Sequence, residues 1–174
     1  MPRQRYVVFK LSNVGDQEVV AERFPISRAT SFLSFPAGEP AVYTADATVS
    51  ITGSASDAVL DLFESQGHAR EWLCPLLTSG RAFACVLEED KEPRSVCFAF
   101  ENHGRIWEIG GVVTPVRHRG RGLAARVVRS SLAELQQRGL VPRYQVNEDN
   151  LPSIRLAASL GFRQFLQLTH YRTW

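Results

Sequence analysis

An arginine- and glycine-rich loop is the segment of this sequence whose residue types and spacing best fit a chemical role. It reads Arg119-Gly120-Arg121-Gly122-Leu123-Ala124 and joins a predicted strand to a predicted helix. The first backbone N–H groups of a helix have no partner within it, and the helix dipole adds partial positive charge there. Glycines let the backbone approach a ligand closely, and arginine suits phosphate oxygens. The loop therefore predicts a phosphate or diphosphate site.

The positive charge of the chain is concentrated around this loop. Residues 117–143 hold seven arginines and one acid, Glu134, and so carry +6. The whole chain has a net charge of +2, so the remainder carries −4. A cationic stretch within a nearly neutral chain favours one anionic ligand site over a general polyanion-binding surface. The alternative is a glycine turn whose arginines are only solvated.

Two other phosphate-binding motifs fit the loop less well. A P-loop ends in Gly-Lys-Ser/Thr, and both lysines, Lys10 and Lys91, lie elsewhere. Residues 120–125 do fit the dinucleotide fingerprint G-x-G-x-x-A. A dinucleotide fold would place this turn directly after the strand and an acidic residue about 20 positions later. Here six residues intervene and residues 140–147 contain no acid, so the dinucleotide site is the weaker alternative.

The elements that must position the loop form a mixed α/β pattern. Hydrophobic periodicity and turn residues predict, in order, helices over 56–67 and 69–77, strands over 82–87, 95–100 and 105–113, a helix over 122–138, a strand over 143–146, a helix from Asn150 and a strand over 162–171. The residues between the three successive strands are typical of hairpin turns, including residues 88–94. The sequence thus predicts an antiparallel meander that leads into the loop.

The first 46 residues carry the weakest pattern. Residues 6–11 are predicted as a strand, no helical period is visible, and the proline-containing residues 24–40 are interpreted as an irregular connection. Residues 47–52 alternate as a short strand would. We therefore divide the chain into a β-rich N-terminal extension, residues 1–46, which could belong to the same fold, and a main domain, residues 47–174.

Composition excludes several classes of protein. The chain has 174 residues, 44% of them hydrophobic and 22% charged, which is ordinary for a globular domain and unlike a disordered or collagen-like chain. Its apolar runs are too short for a membrane span or a secretory signal. Its three cysteines, Cys74, Cys85 and Cys97, lack metal-ligand spacing and predict free thiols in a reducing compartment. We expect a cytoplasmic protein without a metal site or a membrane partner.

Two motifs resemble those of the GNAT superfamily, the general N-acetyltransferases. Residues 112–115 and 119–124 resemble its motif A, whose signature is Arg/Gln-x-x-Gly-x-Gly/Ala, with Arg119, Gly122 and Ala124 at the matching positions. Residues 117–122 also fit that short expression, but the apolar stripe of the helix starts at Leu123 and favours the first register.

The second half of the chain resembles motif B of the same family, Val-x-x-x-Asn-x-x-Ala-Ile-x-Leu, followed by Gly-Phe. Val146, Asn150 and the pair at 161–162 match, whereas Ser153 stands where the family usually has alanine. The resemblance covers residues 47–174 and implies a GNAT-like, mostly antiparallel mixed sheet flanked by helices. About 12 residues follow residue 162, room for one strand where the family usually has two, and residues 6–11 could fill part of that place.

The resemblance implies an acetyl-CoA site. In the family the fourth strand offers main-chain groups to the pantetheine arm, and here these belong to Val112, Val113 and Thr114. The pyrophosphate binds backbone N–H groups of the next loop, which here comprises Arg119, Gly120, Arg121, Gly122, Leu123, Ala124 and Ala125. Asn150 would contact the pantetheine where the sheet splays apart.

The implied reaction is direct transfer of an acyl group, most simply acetyl, from the thioester to an amine. The amine must lose a proton, and Glu108 is the candidate base because many family members carry a carboxylate on this strand. A backbone N–H near Val112 or Val113 would stabilise the oxyanion.

The proton donor for the departing thiolate is harder to assign. Ala157 stands where many family members carry the tyrosine that donates, so Tyr144 and Tyr171 are the remaining candidates.

His118 could touch phosphate, but we expect a solvated loop histidine. Cys85 and Cys97 are expected to be buried core thiols.

Three functions are compatible with these residues. The first is an N-acetyltransferase acting on a small-molecule amine or a protein amine. The second is a GNAT-like domain that binds CoA without turnover, because the usual tyrosine is missing. The third is nucleic-acid binding through the helix over 122–138. The absence of interleaved exposed aromatic residues argues against this third function. An unfinished sheet edge would also allow a homodimer.

Overall fold

The computed structural model describes residues 7–36 and 42–174. These residues form one eight-stranded sheet and five α-helices. The strands are β1 Val8–Leu11, β2 Ile26–Pro36, β3 Val49–Thr52, β4 Ala82–Glu89, β5 Glu92–His103, β6 Ile106–Val113, β7 Val141–Asn147 and β8 Leu166–Thr173. The helices are α1 Val14–Ala21, α2 Asp57–Glu64, α3 Arg70–Thr78, α4 Leu123–Gln137 and α5 Leu151–Ser159. The predicted mixed α/β fold with a mostly antiparallel sheet is confirmed.

The order of strands in the sheet is β1-β8-β2-β7-β6-β5-β4-β3. Only β6 and β7 pair in parallel among the described strands, because α4 forms the crossover between them. Their pairing ends at Ile109 and Tyr144, although both strands continue for several residues. β7 stays paired with β2 up to Asn147, so the sheet opens between β6 and β7.

The helices cover opposite faces of the sheet, which decides where each β6 side chain points. The apolar stripe of α4 joins a core cluster that contains Trp107 and Ile109. Helices α2 and α3 pack with Phe98 and Val113 in a second cluster. Since side chains alternate along a strand, Glu108 lies on the α2–α3 face, opposite its two buried neighbours.

The N-terminal region differs from the sequence prediction in two respects. Helix α1 occupies a segment without a visible helical period, and none of its residues is buried. A helix that buries no face needs no apolar stripe, so the hydrophobic periodicity of the sequence could not predict it. Residues 24–40 were expected to be irregular, but Ile26–Pro36 is a strand paired on both sides by β7 and β8, and residues 37–40 lie outside the described residues. Pairing with two neighbours, rather than its own polar pattern, stabilises this strand.

Two N-terminal strands extend the sheet beyond β7. Residues 6–11 could fill part of the place of a second C-terminal strand by the sequence, and Val8–Leu11 pairs with the last strand, β8, at the outer edge, whereas Tyr6 lies outside the described residues. β2 occupies the place beside β7. The last strand starts at Leu166 rather than residue 162, because Phe162 is buried in the core beside Tyr144.

No helix within the described residues is long and apolar enough to span a membrane.

Both strand cysteines are buried and free, as expected. Cys85 and Cys97 are directly opposed on β4 and β5 and are fully inaccessible. Burial raises the pKa of the Cys97 thiol, which keeps it protonated. Neither thiol is suited to act as a nucleophile.

Candidate functional site

A cleft of about 600 Å³ lies where β6 and β7 separate. Four segments form its walls: the end of β6, the loop leading into α4 with the first turn of that helix, one side of α5 with its N-cap, and Gln66 in the loop after α2. Ten of the eleven residues predicted to bind the coenzyme line this cleft, namely Val112, Val113, Thr114, Arg119, Gly120, Gly122, Leu123, Ala124, Ala125 and Asn150. The eleventh, Arg121, is outside the lining and lies 3.9 Å from the carboxylate of Glu89.

The loop at the start of α4 presents unpaired backbone donors to this cleft. Gly120 and Gly122 have φ angles of 75° and 73°, a left-handed conformation that strains any residue with a Cβ. Gly122 is the N-cap residue and has no side chain with which to cap the helix. The first N–H groups of α4 are therefore available to an anion, and the helix dipole favours its binding.

Side-chain hydrogen bonds hold this loop against the strand that precedes it. Arg119 Nε donates to the carbonyl oxygen of Thr114 at 3.1 Å. The Thr114 hydroxyl is 2.8 Å from the hydroxyl of the buried Ser95 on β5. These contacts fix the distance between the end of β6 and the first turn of α4.

His118 is buried, contrary to the expectation of a solvated loop histidine. It is only 8% exposed and lines the cleft, because a short 3₁₀ turn over Val116–His118 folds it towards β5. Its Nε2 lies 2.8 Å from Arg94 Nη1 and 3.0 Å from Arg117 Nε. Guanidinium groups only donate, so Nε2 accepts and the imidazole proton resides on Nδ1. Burial, followed by the neighbouring arginines, lowers the pKa of His118 and keeps the ring neutral.

A smaller cavity of about 180 Å³ adjoins the cleft. The two share Gln66, Val112, Asn150 and Ser153, so they meet end to end. The small cavity is also lined by Gly110 and Gly111 of β6, by Tyr144, Gln145 and Asn147 of β7, and by His68. A group attached to the end of a ligand in the cleft could thus meet a second molecule in the cavity.

A bulge at Gly111 shapes the β6 backbone at this junction. The register of β6 against β5 shifts between Val96 and Phe98, and Gly111 has a φ of 58°. A Cβ at Gly111 would lie 2.2 Å from Phe98 Cε1, so only glycine fits there. The bulge turns the backbone of residues 110–113 away from regular pairing, which makes it available to a ligand.

Glu108 lies just before this junction and lines neither cavity. Its Oε2 accepts a hydrogen bond of 2.9 Å from Asn102 Nδ2 and forms an ion pair with Arg143 of β7. The side chain is 15% exposed. The carboxylate of the predicted base is therefore already engaged by two side chains.

The two predicted proton donors have different surroundings. Tyr144 is 2% exposed, lines the small cavity and places its hydroxyl 2.6 Å from Ser153 Oγ. Burial raises the pKa of Tyr144 to about 12, against a smaller lowering by the Ser153 hydrogen bond. Tyr171 is on β8, two strands from β7, and donates to Gln17 Oε1 at 2.8 Å. The fold brings Tyr144 to the cavity and leaves Tyr171 away from it.

Asn150 combines a structural contact with its place in the cleft. Its Oδ1 accepts from the backbone N–H of Ser153 at 3.2 Å, which caps α5. His68, Gln66, Gln145 and Asn147 also line the cavity, but no motif in the sequence points to them.

The family comparison agrees with this geometry. The sequence model described as "Acetyltransferase (GNAT) family" matches residues 53–162. That range contains the loop, β6, β7 and α5. No curated protein sequence matches the chain.

Solved structures with the same fold share little sequence with this chain. A GCN5-related N-acetyltransferase from Kribbella flavida is 18% identical with a TM-score of 0.70, over 97% of this chain and 68% of that one. A GNAT-family acetyltransferase from Colwellia psychrerythraea is 14% identical with a TM-score of 0.70, over 97% and 65%. A tandem GNAT protein from the clavulanic acid biosynthesis pathway is 15% identical with a TM-score of 0.71, over 97% and 63%. These similarities show the fold, and this chain spans about two thirds of each structure.

Proposed function

Because the chain belongs to the acetyltransferase (GNAT) family, we propose that it transfers the acetyl group of acetyl-CoA to an amine by direct attack on the thioester. One observation carries this proposal. The parallel pairing of β6 and β7 ends at Ile109 and Tyr144, and the cleft opened there leads to the unpaired N-terminus of α4. A ligand with a diphosphate at one end and an extended, hydrogen-bonding arm at the other fits that arrangement.

The proposed coenzyme contacts follow from the lining of the cleft. The diphosphate would bind the N–H groups of residues 119–125, and the pantetheine amides would pair with the free edge of β6 at Val112, Val113 and Thr114. Asn150 would contact the arm from the opposite wall. His118 also lines this cleft, and its Nε2 is occupied by two arginines.

In the proposed reaction, the nitrogen of the amine bonds to the thioester carbonyl carbon while a base accepts the amine proton. The carbonyl oxygen gains negative charge, for which the backbone N–H groups at the bulged end of β6 are the nearest donors. The C–S bond then breaks and the thiolate takes a proton. Glu108 is the base that the resemblance predicts, but its carboxylate already bonds Asn102 and Arg143 and lines neither cavity.

Tyr144, with Ser153, is the proton donor that we propose for the thiolate. Ser153 lines both cavities and its hydroxyl contacts that of Tyr144. A phenol kept protonated by burial can supply a proton through the intervening hydroxyl. The pair compensates for Ala157, which stands where the family's usual tyrosine would be. Binding of CoA without turnover is the alternative if this pair is inactive.

The arginines near α4 favour a small anionic ligand over nucleic acid. Arg126 donates to the carboxylate of Asp46 at 2.6 Å. Arg138 bonds Glu134 at 2.7 Å and lies 4.7 Å over the ring of Phe83. Side chains paired within the fold are less available to a phosphate backbone. The partner that we propose is an amine, on a small molecule or on a protein. The cytoplasmic location and a homodimer stay predictions.

The test combines binding and turnover with the full chain. Calorimetry with CoA should show one site per chain. Acetyl-CoA incubated with spermidine, tyramine or a peptide with a free α-amino group should release CoA thiol above the rate without amine, with the acetylated amine identified by mass spectrometry. Binding without release for any amine would favour the non-catalytic alternative. Absence of CoA binding would contradict the proposal altogether.

A further inference from the structure

The loop between α2 and α3 places an imidazole at the small cavity. The backbone N–H of His68 donates to the carbonyl oxygen of Phe63 at 3.2 Å, which ties the loop to the end of α2. The His68 ring meets the Phe98 ring edge to face, with 4.9 Å between centroids. The ring centroid of Trp72 on α3 is 6.4 Å from that of His68. These contacts hold the half-buried ring against the α2–α3 face of the sheet.

His68 and Tyr144 are the two titratable side chains among the residues that line this cavity. Gly110, Gly111 and Val112 form its backbone wall, next to the bulge. Phe98, on which His68 packs, is paired directly with Gly110. The imidazole is therefore close to the stretch of β6 where the thioester end of the proposed coenzyme would lie.

Glu108 is less well placed to accept a proton. It lines neither cavity, and its Oε2 is already bonded to Asn102 and Arg143. To act as a base it would have to work through water and give up an interaction with a partly buried guanidinium, which is costly. The cavity itself thus offers His68 as the group able to accept a proton.

We propose that His68 is the general base of this site and takes the proton of the acceptor amine. The proposal rests on the acetyl transfer proposed above. The amine nitrogen forms the bond to the carbonyl carbon, one N–H proton moves to the imidazole, and the C–S bond breaks. The thiolate receives its proton from the Tyr144–Ser153 pair, the imidazolium releases its own to solvent, and Tyr144 regains a proton from solvent before the next turnover. Atoms and charge balance without any further reactant.

The surroundings of His68 keep a neutral imidazole ready for this step. Burial lowers the pKa of His68, and the negative charge of Glu108 acts in the opposite direction to a smaller degree. Glu108 is itself paired with Arg143, and the rings of Phe98 and Trp72 are uncharged. Tyr144, in contrast, is held protonated, so one cavity contains a base and an acid with separated pKa values.

The test compares His68→Gln with His170→Gln. His170 is a matched control, since it is also partly buried, packs on an aromatic ring and has a pKa lowered by burial, but lies on the distant β8. With the best amine of the panel, His68→Gln should lower kcat by about 100-fold or more, the range of general-base catalysis. Its affinity for CoA and its melting temperature should stay close to those of the wild type, and His170→Gln should keep full activity.

The pH dependence separates a base from a structural residue. In the wild type, kcat should fall on the acid side with a midpoint equal to the pKa of His68, measured by NMR from its Cε1 proton in the complex with CoA. His68→Gln should lack that acid limb and retain only the limb of the amine itself. A slow variant that keeps the acid limb, or an NMR midpoint that differs from the kinetic one, would overturn the assignment.

The rates of the wild type and of His68→Gln distinguish an error in the role of His68 from an error in the proposed function. A wild-type protein that acetylates an amine while His68→Gln does so at the same rate contradicts the role of His68 alone. A wild-type protein that binds CoA but releases no thiol with any amine removes both the reaction and its base.

Discussion

The carboxylate of Glu108 on β6 and the guanidinium of Arg143 on β7 form an ion pair between directly opposed residues, one position before the parallel pairing ends. Both side chains are mostly buried, with 15% and 24% of their surfaces exposed. The pair holds the two strands together at the point from which they separate. It thus lies at the base of the opening that forms the cleft and the small cavity.

Replacing Glu108 by Gln should therefore affect stability more than chemistry. The uncompensated, partly buried charge of Arg143 should reduce the free energy of unfolding by about 1–3 kcal/mol, measured by denaturant titration. The double variant with Arg143→Gln should recover part of this loss. If the single variant instead kept its stability and lost turnover by about 100-fold or more, Glu108 would be identified as the base.

Gly122→Ala should weaken CoA binding. A left-handed residue with a Cβ costs about 1 kcal/mol, and a loop that relaxes to avoid the strain turns the first N–H groups of α4 away from the cleft. We expect the Kd for CoA to rise about tenfold or more, measured by calorimetry.

The control for this variant is Gly80→Ala. Gly80 has a φ of 74°, almost that of Gly122 at 73°, and a Cβ at either position meets no atom within 4 Å. The control should lose similar stability and keep its CoA affinity. Equal loss of affinity in both variants would argue against a phosphate site at the start of α4.

Tyr144→Phe tests the proposed acid. The variant keeps the buried ring and removes the hydroxyl that contacts Ser153 at 2.6 Å. We expect kcat to fall about 10- to 100-fold with little change in the Kd for CoA. The pKa of about 12 keeps the phenol protonated over the whole measurable pH range, so no basic limb should arise from it. Tyr171→Phe, which loses its bond to Gln17, should retain the wild-type rate.

Asp46→Asn should make stability less dependent on pH. Asp46 accepts hydrogen bonds from Arg126 and from Thr48, and these lower the pKa of its carboxyl below 3.8. A depressed pKa contributes stability that is present above the unfolded-state pKa and is lost as the pH falls towards the folded-state value. The melting temperature of the variant should lie below that of the wild type near neutral pH, and the difference should shrink below about pH 4. A constant difference down to about pH 2 would contradict this linkage.

The coenzyme loop could be recognised from the sequence because its function depends on local backbone geometry. Gly120, Gly122 and the helix that begins at Leu123 are adjacent in the chain, and their residue types suffice to predict left-handed turns and a free helix N-terminus. The buried stripe of α4 was visible for the same reason, since it repeats with the helical period.

The small cavity could not be predicted in the same way. His68 and Tyr144 lie far apart in the chain and meet only because α2, α3 and β7 converge on the same end of β6. His118 shows the same limitation, because its surroundings include Arg94, which is on β5 and 24 residues earlier in the chain. The position of β2 beside β7 likewise depends on pairing across the sheet. The polar sequence pattern of β2 does not predict that pairing.

By itself the sequence determined the order of most helices and strands, the glycine–arginine turn and the family, because each depends on neighbouring residues or short periodic patterns. Only the tertiary structure decided which side chains surround the cavity, which carboxylate is already paired and which histidine is held neutral. Those properties arise from burial and from distances between residues far apart in the chain, and they exist only when the sheet has formed and opened between β6 and β7.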